Sequence, residues 1–181
     1  MQTVEIPEPR LSKFLFGSSV MSWVWLVVRV YVGWEWLHAG WSKFTSPLWI
    51  GDKAGVALTG FLNGALKKSS GEHPDVQGWY ASFVQHVALP HAATLSHVVT
   101  YGEILVGAAL ILGAFVGIAA FFGTFMNLNF LLAGAVSINP ILLVLQLFLI
   151  LAWRNAGWIG LDRFLLPVLG TPWQRGGVFR K

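Results

Sequence analysis

Four apolar stretches, at about residues 18–44, 94–113, 115–135 and 139–153, decide most of what this chain can fold into. Each approaches or exceeds the roughly 20 residues a helix needs to cross a bilayer. Inside hydrocarbon a backbone must satisfy its own N–H and C=O groups, which leaves helices or a closed barrel. The period-two alternation of a barrel strand is absent, so helices are expected. Gly113 and Gly117 punctuate a very short link between the second and third stretches. Val136 to Asn139 join the third to the fourth, with Pro140 at a first-turn position that suits a helix start. Links this short force antiparallel neighbours. The expected fold is all-α: a single membrane domain over 1–181, built as a four-transmembrane-helix antiparallel bundle.

Composition supports the same reading. Charged residues make up 11% of the 181 and hydrophobic ones 55%, against about 25% charged in an average soluble domain. The formal charge of +4 comes without a basic run or stripe, so no nucleic-acid partner is expected. Arg10, Lys13, Arg154, Arg163, Arg175, Arg180 and Lys181 flank the outer ends of the four-span segment. The long first loop holds Lys53, Lys67 and Lys68, with Lys43 at its border, offset by Asp52, Glu72 and Asp75. That imbalance favours cytoplasmic termini, and the expected location is the cell inner membrane, multi-pass. Residues 1–17, with Glu5 and Glu8 among Pro7 and Pro9, do not read as a secretory leader.

The loop over 45–93 is too long for a bare connector. Residues 54–66 read as a short helix ended by Lys67-Lys68-Ser69-Ser70-Gly71. Residues 76–89 read as a second, carrying Trp79, Tyr80, Phe83, Val84 and Val87 at helical spacing before Pro90. Both are expected to lie at the membrane interface or to cap the bundle. A further surface-lying helix is expected over 159–169, around Asp162 and Arg163.

Charges inside spans are costly and mark function or polar glue. Arg29 lies about 16 Å into the first span at 1.5 Å per residue, and Glu103 reaches a similar depth from the opposite side. An Arg29–Glu103 ion pair is therefore expected near the midplane, joined by Asn127 and Gln146. Such a layer sets helix register, or it forms a binding or catalytic centre; both readings stay open. Arg29, Gly33, Trp36, Gly40 and Lys43 share one face of the first span. Glu35 and His38, three apart on another face, are candidates for proton relay, ligand contact or structural pairing. Trp34 and Trp36 sit deep enough to line an aromatic pocket or simply to pack, whereas Trp23, Trp25, Trp41, Trp49, Trp79, Trp153 and Trp158 follow the pattern of interfacial belts. The chain has no cysteine, so no iron–sulfur cluster is expected, nor any haem or metal centre.

Several segments together resemble the DoxX family: Arg29-Val-Tyr-Val-Gly33, Trp36-Leu-His-Ala-Gly40-Trp-Ser-Lys43, Gly102-Glu103-Ile-Leu-Val-Gly107 and Met126-Asn-Leu-Asn129 running to Gly134. Ala152-Trp-Arg154-Asn-Ala-Gly157 with Gly160-Leu-Asp162-Arg163 fits as well. The family includes the DoxD-like small subunit of thiosulfate:quinone oxidoreductase. The resemblance implies a four-helix membrane bundle linked to sulfur redox enzymes and the quinone pool.

The expected function is thus a subunit of a quinone-linked oxidoreductase, not an enzyme acting alone. It would bind a quinone-like or isoprenoid lipid and dock a redox partner protein or second subunit. Arg29, Glu103, Asn127, Gln146 and Trp36 are the expected ligand-binding residues, with Glu35 and His38 as catalytic proton donors. The competing expectation is a membrane scaffold or assembly protein, oligomeric with itself, whose buried polar residues only set helix packing.

Overall fold

The structure, a computed structural model, describes residues 7–171 and 174–175. Helix α1 (Arg10–Gly17) turns through 58° into α2 (Ser22–Phe44). The long loop forms α3 (Val56–Lys67) and α4 (Gly78–Phe83), which runs on as a π-helical turn over Val84–Ala88. Then come α5 (Ala92–Leu112), α6 (Val116–Leu132), α7 (Asn139–Leu151), α8 (Trp153–Ala156) and α9 (Asp162–Leu169). The two-residue strands β1 (Gly170–Thr171) and β2 (Gln174–Arg175) pair antiparallel beyond α9. Each apolar stretch read from the sequence forms a long helix. The first begins at Ser22 instead of 18, because residues 18–21 are spent on the bend after α1.

The four long helices close a ring in which α2 packs on α5, α5 on α6, α6 on α7 and α7 back on α2. Glycine lets α2 and α5 run unusually close: a Cβ at Gly107 would fall 2.5 Å from the backbone N of Leu37 and 2.8 Å from the carbonyl of Gly33. This contact fixes an antiparallel register, with Gly40 against Glu103 and Ile104, Gly33 against Gly107, and Arg29 against Gly113. The buried face of α2 is the stripe of Arg29, Gly33, Trp36 and Gly40.

Two apolar cores result. The bundle core holds Trp25, Val32, Trp36, Val106, Leu110, Val116 and Leu149. A second joins Leu58, Leu62, Val76, Tyr80, Val84 and Ala133, so the loop helices cap one end of the bundle. Polar ties hold that cap on α6: the Tyr80 hydroxyl donates to the Asn129 carbonyl at 3.0 Å, and Lys68 Nζ donates to the Gly134 carbonyl at 2.6 Å.

Large apolar side chains face outward from every long helix, among them Val27, Leu105, Ile118, Phe125 and Ile141. Patches of that extent on a water-facing surface would mark a binding or aggregation site. Among the described residues, α5 alone is long and apolar enough to cross a bilayer by itself, its 21 residues spanning about 31 Å. Helices α1 and α2 satisfy the same length and hydropathy requirement only as one bent pair, and α6 and α7 are shorter apolar helices.

Candidate functional site

The register of α2 on α5 separates the two charges expected to pair. Arg29 sits only two turns into α2, since that helix starts at Ser22, and it meets the far end of α5. Its Nη1 donates to the carbonyls of Leu110 and Ile111 (2.9 Å to the latter), and its Nη2 donates to the carbonyl of Ile159. The guanidinium thus caps the carbonyl end of α5, where the helix dipole is negative. Asp162 does the converse for α6: its Oδ1 and Oδ2 accept from the backbone N–H of Phe115 and Val116, the second at 2.9 Å. Backbone bonds from Leu161 N to Leu112 O and from Asp162 N to Gly113 O fasten the 159–162 segment across the turn. Gly113, at φ +68°, has no room for a Cβ beside the Arg29 guanidinium. Burial raises the Asp162 carboxyl above its ordinary value, opposed by the two backbone N–H groups and by Arg29. Arg29 is thus held at the helix turn by backbone carbonyls, apart from Glu103, and not in a shared midplane layer with it.

Glu103, 1% exposed, pairs with Lys43 instead. Lys43 Nζ lies 2.9 Å from Oε1 and 2.7 Å from Oε2, and 5.1 Å over the ring of Trp49. This pair lines a cavity of about 300 Å³ at the capped end of the bundle, walled by Glu35, Trp36, Trp49, Phe61, Phe130 and Leu142. Charged groups converge on a mainly apolar chamber there, the general composition of a small-molecule site. Glu35 is half-buried on its wall and has no ion-pair partner among the described residues.

Asn127 and Gln146 are fully buried but do not line this cavity. They stand behind its Trp36 wall. With its amide turned to satisfy both ends, Gln146 accepts from the Trp36 indole N–H and donates to the Leu142 carbonyl at 3.2 Å. The Asn127 amide nitrogen approaches the Gln146 amide to 3.4 Å. The expected head-group contact from these two residues is thus replaced by support of the indole.

His38 parts company with Glu35. It is exposed, its ring stacked on that of Trp34 with centroids 6.2 Å apart, on a face turned away from the cavity. Residues three apart on a helix share a face only loosely, and here the close α2–α5 packing turns Glu35 inward and His38 outward. Of the seven expected site residues, Glu35, Trp36 and Glu103 come together. Lys43, Trp49, Phe61 and Phe130 complete the chamber. Lys43 carried a signal, as the last member of the α2 stripe; Trp49 and Phe61 belong to a loop whose docking no periodicity reveals. Among the described residues, no group of three His, Cys, Asp or Glu side chains is placed to hold a metal ion.

Comparison with curated proteins and with solved structures gives no match. The family model described as DoxX matches residues 24–135, more than half of the chain and the segment that supplies the walls of the cavity other than Ile138, Asn139 and Leu142. The chain belongs to the DoxX family and is a membrane protein of that type.

Proposed function

We propose that the chamber around Lys43 and Glu103 receives the ring of a quinone-like lipid, and that the protein links a sulfur-compound-oxidising partner to the quinone pool. The observation that carries this reading is the meeting of an ammonium, two carboxylates and four aromatic rings in one cavity of about 300 Å³. That volume lies at the lower bound of ligand pockets, roughly 300–1,000 Å³, and suits a single substituted ring. Lys43 has three N–H donors. Two serve Glu103, and the third is available to a ring carbonyl. Glu35, on the same wall, is the proton donor. A quinone bound there would supply a two-electron, two-proton acceptor that the side chains do not, with the electrons coming from the partner protein and both protons drawn from water, passed one at a time through Glu35.

In this reading the four long helices span the inner membrane with both termini cytoplasmic, and the α3–α4 cap lies on the outer face. The outward apolar belt on all four helices supports it, as do the basic residues at the two ends of the chain. Purification in mild detergent followed by solvent extraction and chromatography should recover quinone with the protein. Protein from active membranes that carries none would remove the proposal.

The scaffold reading has one observation in its favour: Arg29, Asp162 and Glu103 all find partners within the chain. Glu35→Gln separates the two. Its partnerless, half-buried side chain predicts an unchanged melting temperature under either reading. Quinone-linked turnover with the partner should fall at least about tenfold if Glu35 donates protons, and stay unchanged if the buried polar groups only set packing.

A further inference from the structure

A second cavity of about 290 Å³ adjoins the first, lined by α3, α4, the π-helical turn, α5 and α6. Phe61 and Phe130 belong to the walls of both cavities. Their rings meet edge to face, centroids 6.2 Å apart at 88°, so together they form the partition. The chemistry on the two sides differs. The first holds Glu35, Lys43 and Glu103; the second holds no charged side chain. Its polar groups are already engaged: Tyr80 donates to the Asn129 carbonyl, and the Asn129 amide donates to the Phe125 carbonyl at 2.8 Å. A polar ligand would find little there beyond the second Asn129 amide N–H, and most of its burial would go uncompensated. The second cavity also reaches the outside, because Val98 and Phe125 on its rim are each 60% exposed, on the outward apolar face of α5 and α6.

We propose that the second cavity receives the isoprenoid tail of the ligand whose ring occupies the first, threaded between Phe61 and Phe130 and leaving the protein past Val98 and Phe125. This rests on the ring site described above and extends it: the ligand class becomes a prenylated lipid quinone, entering from the membrane side. The walls that the two cavities share are these two side chains, so a change of their rotamers would join the two spaces. Both rings are only half-buried.

The test uses the full chain in nanodiscs and two probes with one ring: a tail-less methoxybenzoquinone and its counterpart with two isoprene units. Quenching of tryptophan fluorescence reports ring binding, since Trp36 and Trp49 wall the first cavity. The wild type should bind the tailed probe at least about tenfold more tightly, from the apolar surface its tail buries. Val99→Phe, which fills the second cavity from α5, should bring that preference below about twofold while tail-less binding holds, the expected result of blocking apolar burial. Leu95→Phe, on the same wall one turn away, gives the same reading if Val99→Phe folds poorly. Equal affinity for both probes, or a preference that survives filling, overturns the tail path and leaves the ring site standing. Quenching by neither probe removes both.

Discussion

Lys43 and Glu103 depend on each other unequally. The carboxylate is almost fully buried, whereas the lysine side chain keeps 19% of its surface exposed. Removing the partner of a buried charge costs about 3–5 kcal/mol, because the remaining charge has no water to return to. Lys43→Met should therefore lower the melting temperature in detergent more than Glu103→Gln, and the double variant should recover part of the loss. If Lys43→Met were the milder change, Glu103 would have a source of charge compensation other than its lysine. The sequence placed both residues within the apolar frame but mispaired Glu103 with Arg29. Depth was counted from an assumed helix start at 18, and a shift of four residues moves Arg29 by about 6 Å along the axis.

At the scale of elements, the α5–α6 turn is held by opposite charges on opposite helix ends. Arg29 covers the last carbonyls of α5, and Asp162 covers the first N–H groups of α6. Loss of an N-cap costs about 0.5–2 kcal/mol, so Asp162→Ala should lower stability measurably. Asp162→Asn should cost less, since it keeps an acceptor and removes the desolvated charge. The pH dependence follows from the raised carboxyl. The folded chain holds this proton more tightly than the unfolded one, so its stabilising contribution is full below the unfolded carboxyl value of about 3.9 and fades as pH rises through the folded value. The stability of wild type relative to Asp162→Asn should thus fall with rising pH; a difference flat from about pH 4 to 7 would contradict the raised value. The helices themselves were readable from periodicity and turn residues. The cap was not, because Asp162 lies far along the chain from α6 and only the tertiary fold brings it there.

For the whole molecule, a chain without cysteine makes the orientation directly testable. Ser70→Cys on the exposed turn after α3 and Ser19→Cys on the bend before α2 each introduce one thiol. In spheroplasts, an impermeant maleimide should label Ser70→Cys directly and Ser19→Cys only after permeabilisation. Labelling in the reverse order would invert the proposed topology. What the sequence left unread at this scale is the second core. Leu58, Leu62, Tyr80 and Val84 had the spacing of amphipathic helices, but their docking includes polar ties from Tyr80 and Lys68 to α6 and its end that no pattern announces.

The clamp at the α5–α6 turn also bears on how the protein is made. Arg29 and the Ile159 carbonyl that holds it are 130 residues apart, so at roughly 5–20 residues per second the arginine waits on the order of ten seconds for that partner to be synthesised. All four long helices precede Ile159 in the chain. A bundle assembled from these four helices alone would thus hold an incompletely satisfied guanidinium and an uncapped α6. The 159–162 segment, made after all four long helices, acts as the latch, and the nascent chain should stay open to proteolysis near Gly113 until that latch arrives.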